Sequence, residues 1–293
     1  MLTAPWPAPA KINLFLHVTG RRGDGYHELQ TVFQFLDWAD SIEIHPREDG
    51  RIRRLSELPG VPADDDLVVK SARSLQAATG TRFGADLRIK KRLPIGAGLG
   101  GGSSDAATVL VALNQLWGLA LPTEDLIEIG VKLGADIPIF IHGQAAWAEG
   151  IGEKLTTLPL DEPWFLIVQP SCRVSTKDVF ADPHLTRDSP AITIADFIES
   201  GGRNDCEPVV RARYREVARA LDWLKQWGDA RLTGTGACVF ARFGTEAQAR
   251  EAIRLLPQDW QGFVARGLNR SPLLDRLAEE IARGSHRVAA IGV

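Results

Sequence analysis

The sequence predicts a two-domain α/β protein. Three observations carry this expectation. Strand-like stretches of period two are interleaved with helix-like stretches along the chain. A glycine-rich loop joins a strand to a helix near the middle of the first half. The 293 residues exceed one ordinary domain of roughly 100–200, and Thr156-Thr-Leu-Pro-Leu-Asp-Glu-Pro163 separates two halves. The expected division is 1–158 and 159–293.

The elements follow in order. Ile12, Leu14, Leu16 and Val18 alternate with Lys11, Asn13, Phe15 and His17, a strand signature that puts Lys11 and Asn13 on one face. The stretch from Thr19 to His27, with three glycines, reads as a turn or loop. Thr31–Leu36 and Ser41–His45 read as two further strands. Leu67–Ala78 reads as a helix with Gly80 beyond its end, and Ala85–Lys90 as a strand. Ser104–Trp117 has the small and apolar pattern of a buried helix, and Thr123–Leu133 that of another, each closed by glycine. In the second half, Trp164–Val168 reads as a strand and Arg213–Leu224 as a helix. Strands around Arg231-Leu232 and Cys238–Phe243 follow. Thr245 and Gln248 form a capping box that opens a helix to Leu255, and Phe263–Ala265 reads as a last strand.

Composition narrows the function classes. A net charge of −3 and a pI near 6.1 provide no global field for nucleic acid, so an anionic substrate has to be met by local cations and backbone amides. The 3 cysteines, Cys172, Cys206 and Cys238, have no metal-like spacing and read as reduced thiols. Met1–Ala10 lacks the charged and apolar regions of a signal peptide, and no apolar run approaches the ~20 residues of a membrane span. The expectation is a cytoplasmic protein acting on a small molecule, with no nucleic acid, membrane or obligate protein partner.

The most informative segment is Leu93-Pro94-Ile-Gly96-Ala-Gly98-Leu99-Gly100-Gly101-Gly102-Ser103-Ser104-Asp105. Five glycines in seven positions let the main chain approach a ligand closely. Successive N–H groups at a helix mouth make a concavity for phosphate, reinforced by the helix dipole. Ser103 and Ser104 add hydroxyls for phosphate or a nucleotide-borne magnesium ion. A glycine-rich turn that only lets the helix pack is the plain alternative. Gly96-x-Gly98-x-x-Gly101 also satisfies the dinucleotide fingerprint, but the region about 20 residues on is helical rather than a strand ending in an acid. No Lys follows the last glycine, as a Walker loop requires, and no HRD or DFG tripeptide occurs.

This loop, from Pro94 to Ala106, resembles the second signature of the galactokinase–homoserine kinase–mevalonate kinase–phosphomevalonate kinase (GHMP) superfamily. Ala8-Pro-Ala-Lys11-Ile-Asn13 resembles its first signature and Leu232-Thr-Gly234-Thr-Gly236-Ala-Cys-Val-Phe240 its third. The resemblance spans nearly the whole chain. It implies an N-terminal domain like part of a small-ribosomal-subunit protein, a ferredoxin-like C-terminal domain, and a site in the cleft between them. It also implies ATP with Mg²⁺, cradled by Pro94, Gly96, Gly98, Leu99, Gly100, Gly101, Gly102, Ser103 and Ser104, with Lys91 contacting the nucleotide. By the same resemblance Asp136 is the general base and Lys11 the cation beside it. Their plain readings are a helix-capping aspartate and a solvated strand lysine.

Gly23-x-Gly25-Tyr26-His27, Gly130-x-x-Leu-Gly134-Ala-Asp136-Ile-Pro138 and Asn204-Asp-Cys-Glu207 resemble the branch acting on 4-diphosphocytidyl-2-C-methyl-D-erythritol. That implies Tyr26 and Phe180 on the two faces of a cytosine, His27 at its edge and Asn13 at the erythritol. Asp66 stands where the branch often has Asn. An ionised Asp only accepts hydrogen bonds, so Asp66 also reads as a cap of the following helix. The rival expectations are a mevalonate- or homoserine-type acceptor, a silent nucleotide-binding regulator, and a nicotinamide oxidoreductase.

Overall fold

The computed structural model describes residues 4–291, with side chains as far as Arg283. Met1–Thr3 of the N-terminal segment discussed above lie outside them. The first half opens on two long antiparallel strands, β1 (Trp6–Arg21) and β2 (His27–Arg47). The two separate strands expected over 31–45 are thus one. The strand continues unbroken through Trp38–Asp40, where its register with β1 runs from Pro9↔Ala39 to Ala8↔Asp40. Then come β3 (Ile52–Arg54), a 3₁₀ turn at Ala63–Asp65, α1 (Leu67–Thr79), β4 (Gly84–Lys90), α2 (Gly101–Leu116), α3 (Thr123–Val131), α4 (Ile137–His142), β5 (Ala146–Glu149) and β6 (Lys154–Thr157). Helix α1 starts at the Asp66 cap and stops at left-handed Gly80, as expected. Helix α2 begins three residues earlier than expected, at Gly101, directly after left-handed Gly100.

The second half contains β7 (Trp164–Gln169), α5 (Thr176–Ala181), α6 (Ile194–Ser200), α7 (Glu207–Arg213), α8 (Arg215–Leu224), β8 (Ala230–Leu232), β9 (Val239–Phe243), α9 (Glu246–Arg254), β10 (Gln261–Leu268) and α10 (Pro272–Ile291). The single helix expected over 213–224 is interrupted at Tyr214, whose φ of −124° and ψ of 94° are extended. Helix α9 has the expected box, Thr245 accepting from the Gln248 amide and Gln248 from that of Thr245.

The sheet runs β3-β4-β2-β10-β7-β9-β8. In its second half the last strand lies beside the first and the third lies between the first and second. With α9 crossing between β9 and β10, this is the ferredoxin-like order. Strand β10 pairs with β7 along its length and with β2 at Gly267↔Leu36 and Leu268↔Phe35, so one sheet spans both halves.

Alternation along each strand divides the apolar residues between separate cores. Ile42, Ile44 and Leu87 pack under α1, α2 and α4. Leu166, Val168 and Val239 pack under α8 and α9. A third cluster joins the halves: Ile12 and Leu36 meet Phe165, Ile167 and Phe240, together with Leu93, Ala97 and Leu99 of the glycine loop. The loop is therefore anchored by its apolar members, while Gly96 and Gly102 are exposed. No helix among the described residues is long and apolar enough to cross a membrane.

Candidate active site

Strand β1 carries Lys11 and Asn13 into a cavity of about 410 Å³. Register shifts on either side of this pair, between Pro9 and Lys11 and between Asn13 and Phe15, re-aim the strand there. The Lys11 ammonium is buried and has four neighbours. It donates to Asn13 Oδ1 at 2.7 Å and to Gly98 O at 3.2 Å, pairs with Asp136 Oδ2 at 3.2 Å, and lies 5.2 Å from the Phe33 ring centre. Asn13 passes the order on by donating to Thr31 Oγ1 at 2.9 Å.

Asp136 occupies the N-cap position of α4, yet its side chain caps nothing. Its carboxylate is 38% exposed on the cavity wall and pairs with the buried Lys11. The plain helix-cap reading therefore fails for this residue.

The glycine loop forms the opposite wall. Lys11 N donates to Leu99 O and Cys238 N to Ala97 O, each at 3.1 Å, so the first and third signatures hold it from both sides. Two of its glycines are sterically required. A Cβ on Gly98, at φ +82°, would stand 2.2 Å from Thr233 O; one on Gly100, at φ +73°, would stand 2.7 Å from the Phe140 ring. Ser104 N makes the first intrahelical bond, to Gly100 O. The amides of Gly101, Gly102 and Ser103 thus have no acceptor within α2, and these three residues line the cavity. Ser104 does not line it; its hydroxyl is buried without a partner. Of Pro94, Gly96, Gly98, Leu99 and Gly100, the cavity is lined by Gly96, Gly98 and Gly100.

Lys91 lies under the loop. Its ammonium sits between the Asp40 and Asp105 carboxylates, 2.7 Å from the latter. Asp40 also accepts from the Leu93 amide at 2.7 Å. Lys91 does not line the cavity and instead fixes the strand-to-loop junction to α2. Burial against this cluster pushes Asp105 up to about 8. Asp66 accepts from the Val68 amide at 3.1 Å and pairs with Arg54 at 2.6 Å, which is the cap reading.

A second hollow, about 640 Å³, is lined by Tyr26, His27 and Phe180, and shares Leu29, Ala135, Ile151, Thr176 and Phe180 with the first. Tyr26 is 58% exposed at its mouth. The Phe180 ring stacks on His27 at 5.1 Å between centres, leaving Tyr26 apart from both. Burial, with Arg187 and then Arg21 nearby, holds the His27 imidazole below its ordinary range, hence neutral at pH 7.

Sequence reasoning did not single out Thr176 and Thr235, whose hydroxyls meet at 2.8 Å; Thr176 is on the shared wall and Thr235 lines the first hollow. Thr235 lies inside the third signature, a signal that was present; Thr176 sits in α5 with none. Asn204 and Asp205 serve the scaffold. Asn204 donates to Leu232 O and Gly234 O, and Asp205 accepts from Val18 N, tying β1 to the loop between β8 and β9.

The chain matches the models for the GHMP kinases N terminal domain over residues 66–144 and the GHMP kinases C terminal domain over 189–261. It is 57% identical over 282 residues to a 4-diphosphocytidyl-2-C-methyl-D-erythritol kinase of Halorhodospira halophila, covering 95% of this chain and 98% of that relative. The kinase of the same name from Nitrosococcus oceani is 57% identical over 272 residues, covering 93% and 97%. A solved 4-(cytidine 5'-diphospho)-2C-methyl-D-erythritol kinase superposes with a TM-score of 0.79 at 30% identity, over 90% of this chain and 98% of that one. A homoserine kinase from Cytophaga hutchinsonii reaches 0.68 at 15% identity, over 92% and 95%, a likeness of fold alone. The chain belongs to the GHMP kinases and, within them, to the 4-diphosphocytidyl-2-C-methyl-D-erythritol kinase family.

Proposed function

We propose that the chain transfers the γ-phosphoryl group of ATP to the 2-hydroxyl of 4-diphosphocytidyl-2-C-methyl-D-erythritol, in the non-mevalonate route to isoprenoid precursors. The observation that carries this reading is the Lys11–Asp136 pair at 3.2 Å, set between the free amides of α2 and a second hollow bearing Tyr26, His27 and Phe180. The free cysteines accord with a cytoplasmic setting, and both units, 1–158 and 159–293, contribute residues to the cleft, the second through Thr176, Phe180, Gly234 and Thr235.

Phosphoryl transfer asks the protein mainly for positioning and charge compensation. The amides of Gly101, Gly102 and Ser103, with the positive end of α2, hold the phosphates. The rest of the loop, from Pro94 through Ser104, sets the shape of the cradle, and Lys91 supports it from below. Asp136 accepts the proton of the attacking hydroxyl, and the buried Lys11 holds that hydroxyl in line while compensating the transferring charge. Asn13 fixes Lys11 and has one amide hydrogen left for the erythritol part. Tyr26 and Phe180 flank the cytosine, and His27 meets its edge. The donor set suits Mg²⁺ arriving on the nucleotide: Ser103 and Asp136 share the cavity, and among the described residues no group of three or more His, Cys, Asp or Glu forms a metal cluster. When bound, the ion neutralises phosphate charge.

The pair is tested by Asp136→Asn and Lys11→Met, measuring ADP release with Mg-ATP and the cytidyl acceptor. Asp136→Asn is expected to lose about 10²–10⁴ in kcat while still binding both substrates. An Asp136→Asn protein with full turnover contradicts its role as the base.

A further inference from the structure

We propose that Arg187 is a positioning residue of the base pocket. By donating to Nε2 of His27 it fixes the ring as the Nδ1–H form, so that His27 presents a donor to the base and selects cytosine over uracil. This rests on the cytidyl reading above.

The Arg187 guanidinium is half-buried and makes four hydrogen bonds. Nε donates to His27 Nε2 at 3.2 Å, Nη1 to Leu185 O at 3.0 Å, and Nη2 to Phe180 O at 2.8 Å and Asp182 O at 2.7 Å. The carbonyls of Phe180 and Asp182 end α5, so one guanidinium joins the strand bearing His27 to the helix bearing Phe180. The two rings it connects are stacked, with 26° between their planes.

Arginine has five donors, no acceptor and a proton it does not release. Nε2 of His27 must therefore present its lone pair. A neutral imidazole has one ring proton, and that proton is consequently on Nδ1. The ring is kept neutral by burial, then by Arg187 and Arg21; Lys177 across the hollow adds a further positive charge. No described residue bonds Nδ1. His27 lines the hollow, so the Nδ1–H is left for a ligand.

The consequence is a choice between pyrimidines. N3 of cytosine is an acceptor, whereas N3 of uracil carries a proton. A fixed donor facing that position makes a hydrogen bond with the first and a donor–donor clash with the second, a difference of about 10- to 100-fold in affinity. Were the proton on Nε2, the preference would be reversed. If Arg187 merely caps α5, its removal weakens the fold and leaves the preference alone.

The test uses the full chain with its nucleotide site filled by a non-hydrolysable ATP analogue. Binding of cytidine 5'-diphosphate and uridine 5'-diphosphate is titrated for wild type and Arg187→Met. Nitrogen NMR of labelled histidine reports the tautomer, with the His27 signal assigned by its loss in His27→Asn. The expected result is a protonated Nδ1 in wild type and a cytidine preference of about 10- to 100-fold, both lost in Arg187→Met. An Nε2–H form in wild type that still binds the cytidine nucleotide overturns this proposal alone. So does an Arg187→Met protein that keeps the full preference. Failure of wild type to bind the cytidine nucleotide at all overturns the cytidyl reading, and this selection with it. Should Arg187→Met not fold, the wild-type tautomer decides.

Discussion

Asp136 shows how little a residue's position says about its task. An aspartate before Ile-Pro at a helix start is ordinarily a cap, and only the approach of Lys11, from a strand 125 positions earlier in the chain, makes it half of an ion pair. The placement of Lys11 and Asn13 on one face was readable from strand alternation alone. The surroundings of Lys91 were not, because Asp40 and Asp105 are brought to it by pairing of β2 with β4 and by the fold of α2. That cluster has two carboxylates for one ammonium, and burial disfavours the surplus negative charge, so Asp105 takes up a proton and titrates near 8. The folded state then binds more protons than the unfolded chain between roughly pH 4 and 8, and stability falls as pH rises across that window. Asp105→Asn, which keeps an oxygen for Lys91, is expected to flatten the fall. Urea midpoints at pH 5, 6.5 and 8 check it; identical slopes in both proteins would contradict the assignment.

At the scale of elements, the glycine loop was legible because its glycines are a local requirement. Gly98 approaches Thr233 O so closely that no side chain fits, and a left-handed residue with a Cβ adds about 1–2 kcal/mol of strain. Gly98→Ala is therefore expected to lower the melting temperature and to raise the KM for ATP. Gly102→Ala, whose Cβ would meet only Leu67 at 3.8 Å inside a helix, is expected to keep the melting temperature. Equal stability of the two variants, followed by calorimetry, would contradict the packing described. Other elements were illegible for reasons equally physical. The break at Tyr214 lies inside an unbroken helical periodicity, since Val217, Leu221 and Leu224 are buried in α8 whether or not the preceding turn is continuous. Strands β5 and β6 are four residues each, too short for alternation to register. The second hollow is assembled from a hairpin end and a six-residue helix, and Arg187, which joins them, belongs to no pattern.

At the scale of the molecule, the chain crosses the boundary suggested by its sequence more than once. Leu16 and Val18 of β1 enter the core of the second half, and α10 returns to pack on β1 and α2, with Leu273 buried among the residues of the first. The guanidinium of Arg276 lies 4.6 Å from the Trp6 ring centre. Leu273→Ala is thus expected to cost about 2–5 kcal/mol, measured by denaturant unfolding, although it lies far from the Lys11–Asp136 pair in sequence; a cost within about 0.5 kcal/mol would mean that α10 is only a surface appendage. The cores so joined hold the glycine loop, the Lys11–Asp136 pair and the second hollow together, and on the proposed function acceptor choice is the property that depends on all three. The most direct measurement is ADP release with Mg-ATP, comparing kcat/KM for 4-diphosphocytidyl-2-C-methyl-D-erythritol, mevalonate and homoserine. Turnover confined to the cytidyl acceptor is the predicted result; turnover with mevalonate or homoserine and none with the cytidyl acceptor would contradict the account.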